Sequence, residues 1–203
     1  MGRIGEALLE MRRAQELDPL ALPIVAIGGW IFYFARQYDQ AIEQAEKAII
    51  MDPNYALAHG YLGMALEHTG MLKEAIAEFH TGFTLSGGLP LYLAFMGHAY
   101  AVAAENDKVE ETLHELKRLS RCRYVSAVEM ALVYAGLRDT RTAFTWLQKA
   151  YDERARLHYF SKWIRHLTAS APIRAIRNCR AASASWRRST SAEKMQSYSL
   201  RGR

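Results

Sequence analysis

Cysteine is nearly missing from this sequence: Cys122 and Cys179 are the two present in 203 residues. Two cysteines supply neither a disulfide framework nor the paired spacing of a structural zinc site. Long apolar runs are missing too. The longest, Ile24 to Ala35, falls short of the roughly 18 residues that a membrane-spanning helix needs. Met1 to Leu17 carries charges on an amphipathic pattern, unlike the apolar core of a secretory signal. A reduced, cytoplasmic chain with no membrane span is expected.

The motifs of common chemistries are also wanting. The sequence holds no nucleophile elbow, no phosphate-binding glycine loop and no His-Glu-x-x-His helix. Seven histidines occur, at 59, 68, 80, 98, 114, 158 and 166. None pairs at helical spacing with a second His, a Cys or paired carboxylates as a zinc site requires. Glu110, Glu111 and Glu115 read as a solvated helix face. Cys122, beside Arg121 and Arg123, reads as an inert thiol. No catalytic residue, cofactor or metal ligand is nominated, no small-molecule substrate is expected, and the chain is expected not to be an enzyme.

What the sequence does contain is a period. Ala7, Ala41 and Ala75 lie 34 residues apart, as do Ala14 and Ala48, Pro19 and Pro53, Gly63 and Gly97, and Tyr100 and Tyr134. A fixed interval of this length means stacked helix–turn–helix units, each unable to bury its apolar face alone. Small residues belong where two helices cross closely, aromatics fill the wedge between hairpins, and Pro follows a helix it cannot continue. The spacing predicts helices near 4–17, 23–36, 39–51, 55–69, 72–85, 89–104, 107–119, 123–136 and 140–154, and a further one near 157–166. Turns are expected at Gln37-Tyr38, Thr69-Gly70, Asn106-Asp107 and from Gly136 to Asp139. Ser86-Gly87-Gly88 reads as the loosest joint.

These residues carry a resemblance. Gly29, Phe32, Ala41, Ala45, Ala48 and Pro53 fall at the positions of the tetratricopeptide repeat. So do Leu62, Gly63, Leu66, Ala75 and Phe79, then Met96, Gly97 and Tyr100, then Ala131, Tyr134, Ala143, Leu147 and Ala150. Gly82 and Gly87 replace the family's Ala and Pro, and Val109 replaces a small residue. The resemblance covers roughly residues 4 to 157. It implies an all-α fold, a right-handed superhelical solenoid of antiparallel helix hairpins. Residues 1–161 are expected to form it, as a leading half repeat and about four full units. The half repeat, Ile4 to Leu17, implies a chain cut from a longer protein or a degenerate first unit.

Charge separates the rest. Residues 1–157 carry 16 Lys and Arg against 20 Asp and Glu, a net −4. Residues 158–203 carry 10 against 1, a net +9. The acidic body argues against a nucleic-acid surface on the solenoid. Residues 162–203 are expected to form a basic, disordered tail. The fourth unit resembles the last repeat of a bacterial subfamily whose arrays end in Val-Asp-Pro-x-Phe-Asp-x-Leu-Arg-Ser-Asp-Pro. A one-nucleotide shift of a codon choice for Lys162 to Pro172 encodes such a segment. The tail is accordingly read as a frameshift product, with a native tail that binds nucleic acid as the alternative.

The family resemblance also implies a site. Its inner groove is lined by the first helix of each unit. The matching positions here are Pro23, Ala26, Trp30, Tyr33 and Phe34, then Leu57, Gly60, Met64, Glu67 and His68. The third and fourth units supply Leu91, Ala94, His98, Ala101, Val102, Val125, Val128, Leu132, Ala135 and Gly136. The Lys and Asn with which chaperone-binding arrays clamp a terminal carboxylate are not among them. Trp30, Tyr33, Phe34, Met64, Glu67, His68 and His98 are the candidate peptide-binding residues, suited to an amphipathic helix or an extended apolar segment. Tyr33→Ala with Phe34→Ala is expected to weaken capture without unfolding. Two functions fit: a protein–protein interaction scaffold, or the sensory or recruitment segment of a bacterial winged-helix regulator, kinase or cyclase.

Overall fold

The computed structural model describes residues 4–153. The tail and the helix expected near 157–166 lie outside the described residues. All described residues belong to the first of the two units into which the chain divides, Met1–Trp163.

Nine helices and no strand occur among the described residues. They are α1 (Ile4–Leu17), α2 (Leu22–Phe34), α3 (Tyr38–Met51), α4 (Ala56–His68), α5 (Leu72–Leu85), α6 (Pro90–Val102), α7 (Asn106–Leu119), α8 (Ala127–Gly136) and α9 (Thr140–Asp152). Even-numbered helices are apolar nearly all round, and α4 and α6 bury nine residues each. Odd-numbered ones bury a narrow stripe, such as Ala41, Ala45 and Ala48 of α3. A helix apolar on all sides sits between layers, and one with a stripe covers a layer. The result is an all-α helical-repeat solenoid: each even helix pairs with the odd helix after it, and each hairpin packs on the next.

The pairing depends on the small residues. A Cβ added at Gly29 would meet the Ala41 carbonyl oxygen at 3.1 Å, and one at Gly63 would meet that of Ala75 at 3.1 Å. The two backbones touch at each crossing, and a larger side chain would hold them apart. Between hairpins the filling varies. Ala48 and Ala58, both fully buried, meet in one joint with Val25 and Ala26. At the next joint the corresponding residues are Gly82 and Tyr92. A Cβ at Gly82 would lie 2.3 Å from the Tyr92 ring, and the Tyr92 hydroxyl donates to the Ala56 carbonyl at 2.7 Å. The missing methyl of Gly82 is the space the ring occupies, which is why a glycine stands where the repeat usually has alanine.

The turn inside each hairpin repeats as strictly as the core. Arg36, Gly70, Ala104 and Arg138 have φ of 62°, 85°, 59° and 58°, and they lie 34 residues apart. In each case the next amide closes back five residues, as in Gln37 N to Phe32 O at 3.0 Å and Glu105 N to Tyr100 O at 2.9 Å. This is the Schellman ending of a helix, which satisfies its last carbonyls through one left-handed residue. The turns between hairpins use side chains. Asp18 and Asp52 accept the amides two residues on, at 3.2 and 2.9 Å.

Two expectations are corrected, and one joint differs from the others. The helix expected over 123–136 begins at Ala127, because the Ser126 hydroxyl caps it by accepting the Val128 amide at 3.2 Å. Arg123 instead reaches back to the Gly88 carbonyl at 2.8 Å. The turn expected at Asn106-Asp107 falls at Ala104, and Asn106 already opens α7. The remaining difference is at the joint before the last hairpin. There α8 packs extensively on α6 and only sparsely on α7, whereas α4 and α6 each pack closely on the preceding odd helix.

Candidate functional site

The seven candidate residues sit on α2, α4 and α6, at equivalent faces of three first helices. The Trp30 indole meets the Phe34 ring edge-on, centroids 4.8 Å apart at 88°. Tyr61 of α4 lies 6.4 Å from the same indole. Phe34 in turn meets Tyr33 at 5.3 Å and 83°. The Trp30–Phe34 and Tyr33–Phe34 contacts are edge-to-face and join positive ring edges to negative faces, holding these rings in one arrangement.

Tyr33 links the aromatic group to the end of α4. Its hydroxyl stands 3.2 Å from His68 Nδ1, and the two rings are perpendicular at 5.0 Å. Tyr38, the first residue of α3, packs 5.0 Å from the same imidazole. Desolvation among these rings lowers the His68 pKa below its ordinary value, against the opposing charge of Glu67. Tyr38 is raised above its ordinary value, also by burial, with Arg36 pulling the other way. The neutral forms of both groups are therefore favoured.

One turn further in, Glu67 and His98 form a buried pair, with His98 Nδ1 against Glu67 Oε1. It joins α4 to α6. A buried carboxylate without such a partner would be strongly destabilising, so the pair holds the two first helices in register.

Exposure divides the seven. Trp30 is half-buried and His68 is exposed. Tyr33 is only 2% exposed, and Phe34, Met64, Glu67 and His98 are also buried. The structure thus brings Trp30, Tyr33, Phe34 and His68 into one cluster and couples Glu67 to His98. The expected tolerance of the Tyr33→Ala and Phe34→Ala pair does not hold physically: both rings are core, and deleting two buried rings costs several kcal/mol of packing. Sequence reasoning missed Tyr38 and Tyr61. The signal was the 31-residue offset, which sets Trp30 beside Tyr61 and Glu67 beside His98.

A second acidic residue was also missed. Glu129, in the first turn of α8, has a buried Oε2 with no hydrogen-bond partner among the described residues. Burial pushes its carboxyl up to about 7, against the lowering effect of nearby backbone amides. No group of three or more His, Cys, Asp or Glu among the described residues could hold a metal ion. No helix among them is long and apolar enough to cross a membrane.

Helix hairpins joined by Gly–Ala crossings, repeated every 34 residues, define a helical-repeat protein. The repeat is the tetratricopeptide repeat, and its family model matches residues 45–77. The chain is 32% identical over 79 residues, 39% of its length, to Tetratricopeptide repeat protein 13 of Homo sapiens. It is 25% identical over 139 residues, 66% of its length, to Tetratricopeptide repeat protein 28 of Homo sapiens. It spans 9% and 6% of those two relatives. Among solved structures, that of MamA superposes with a TM-score of 0.53 at 19% identity, covering 74% of this chain and 88% of that one. That likeness concerns the fold alone.

Proposed function

We propose that this chain is a non-catalytic scaffold that binds a segment of another polypeptide through the surface carried by α2, α4 and α6. The segment is amphipathic or apolar, and Trp30, Tyr33, Phe34, Met64, Glu67, His68 and His98 form its site. The observation that supports this most is Trp30: a half-buried indole held by Phe34 and Tyr61 on the face that the repeat family uses for binding. Rigid aromatic anchors contribute most of the energy of such contacts. Buried Tyr33, Phe34 and Met64 form the floor, and the Glu67–His98 pair preorganises it, which lowers the ordering cost of binding. The proposed location is the cytoplasm. Nucleic acid is not the proposed partner, because residues 1–157 are net acidic.

The test is a peptide-display selection on the full chain, followed by affinity measurement against a Trp30→Ala variant checked for fold by circular dichroism. A loss of about 2 kcal/mol, some thirtyfold, is expected for an aromatic anchor. Equal affinity in a folded variant would remove Trp30 and its neighbours from the site.

A second reading is that the array recruits partners for a longer regulatory protein, whose effector part is a winged-helix, kinase or cyclase domain. What supports it is the likeness of the fourth unit to the last repeat of the bacterial subfamily noted above. Sequencing the coding locus on both sides tests it: a frame that continues into such a domain supports the reading, and one without it rejects it. The same sequence tests the frameshift proposed for residues 162–203.

A further inference from the structure

We propose that the first turn of α8 is a pH-sensitive latch on the hairpin of α8 and α9, shut while the Glu129 carboxyl keeps its proton and released when it ionises. Nothing in this device depends on the groove around Trp30. The internal repeat marks the position as unusual. Phe95 and Tyr61 stand one and two periods earlier, the first buried and the second half-buried. Glu129 puts a carboxyl in that aromatic slot. Its Oε2 is buried and has no hydrogen-bond partner among the described residues. A neutral acid tolerates such a place far better than a carboxylate does.

The turn is built to come away as a unit. Ser126 caps α8 by accepting the Val128 amide at 3.2 Å, and its carbonyl accepts the Glu129 amide at 3.1 Å. Ser126 and Glu129 have the spacing of a capping box, so the carboxyl and the cap move together. Behind them Ala127 and Val128 pack with Ala150, and Trp146 lies against the same cluster. α8 packs only sparsely on α7, and Arg123 pins the connector to the Gly88 carbonyl at 2.8 Å. The pivot therefore lies between Arg123 and Ser126, and release uncovers Ala150 and Trp146. Charges on the neighbouring helices are engaged elsewhere. α6 carries no Lys, Arg, Asp or Glu, and its Tyr92, His98 and Tyr100 meet Ala56, Glu67 and Lys108. On α9, Lys149 lies over the Trp146 ring and near Glu153, and Asp152 accepts from Gln148. On α7, Arg118 pairs with Glu115, and Lys108 with Glu105. What acts on Glu129 is burial, opposed by the backbone amides of Ser126 and Glu129 itself, rather than a charge on α6, α7 or α9.

Burial raises the carboxyl from its ordinary 4.5 to about 7, and opening returns it to the ordinary value. The shut turn therefore binds the proton more tightly. Shutting is favoured fully at low pH and weakens as pH rises from 4.5 towards 7. Between pH 6 and pH 8 this linkage changes the opening equilibrium about tenfold.

The experiment measures native-state amide exchange of the full chain by NMR at pH 6 and pH 8, with the intrinsic exchange rate divided out. Protection of the Val128 and Glu129 amides is expected to fall about tenfold at the higher pH. In Glu129→Gln, which cannot ionise, it is expected to stay constant. The Ala58 amide, bonded to the Tyr55 carbonyl at the start of α4, serves as the control and is expected to be equally protected at both values. Equal protection of the α8 amides at the two pH values in the unmodified chain overturns the proposal, as does the same fall in Glu129→Gln. A matching fall at Ala58 also overturns it, because the whole array and not this turn then responds to the proton.

Discussion

At the scale of single residues, the fold places conformational strain and close contact at predictable intervals. Ala104 has φ 59° and is exposed. A non-glycine residue there costs roughly 1–2 kcal/mol, of which glycine recovers part after its own entropy loss. Ala104→Gly is therefore expected to stabilise the chain by about 0.5–1 kcal/mol in urea unfolding, and Gly70→Ala to destabilise it by a similar amount. No atom lies within 4 Å of a Cβ at Gly70, so that loss would be purely conformational. Gly82→Ala is the opposite case, a steric one. Its Cβ would stand 2.3 Å from a ring packed against Gly60 and hydrogen-bonded to Ala56. The ring cannot swing away, so a loss of about 1–3 kcal/mol is expected. Glu129 brings a dependence on pH. Its carboxyl is raised to about 7 in the folded chain, so the folded state binds its proton more tightly than the unfolded state does. Stability from this group is full below the ordinary carboxylate range and is lost as pH rises towards 7. Glu129→Gln is expected to flatten stability between pH 5 and 7.5, and to raise it at pH 8 by about 1–2 kcal/mol after allowance for partial solvation. An unchanged pH profile would mean that the carboxylate is better solvated than its position implies.

At the scale of elements, the period made the helices legible and left their joints obscure. Ala41, Ala75 and Gly63 reveal pairing because only small residues suit a backbone crossing, so existence and order of the nine described helices could be read directly. The left-handed turn residue could be read at Gly70 alone; Arg36, Ala104 and Arg138 occupy the same position without the residue type that advertises it. The fourth unit was obscured for another reason. Its first helix starts late because Ser126 caps it, and hydroxyl caps depend on a local competition that periodicity does not register. The repeat register placed the seven candidate residues at equivalent positions of α2, α4 and α6, but burial at those positions is decided by which rings fill the wedge, and that put Tyr33 and Phe34 in the core. Among α2 to α9, only α8 and α9 have a side chain capping the helix start. With α8 packed only sparsely on α7, its first turn relies on that cap. Ser126→Ala is expected to cost about 1 kcal/mol and to raise amide exchange in the first turn of α8 without affecting α4 or α5.

At the scale of the whole described array, stability is a sum over neighbours. The packing of α1 is mainly against α2, that of α4 is against α2, α3, α5 and α6, and that of α6 is against α4, α5, α7 and α8. In such a one-dimensional arrangement a segment's resistance to opening follows the number of joints that must break to release it. Native-state amide exchange should therefore grade along the chain. Protection is expected to be lowest in α1, which packs mainly on α2, is tied to α3 by the Gln15–Gln44 hydrogen bond and exposes Ala7 and Leu17, and highest in α4 to α6, with α8 and α9 between. Gly82→Ala sharpens the test, because it strains a single joint between α5 and α6. If the array is a chain of nearest-neighbour interfaces, that substitution lowers protection most in α4 to α7 and leaves α1 nearly as it was. If exchange instead rises equally in every helix, the described residues unfold as one cooperative block, and the joints are stronger than the hairpins they connect.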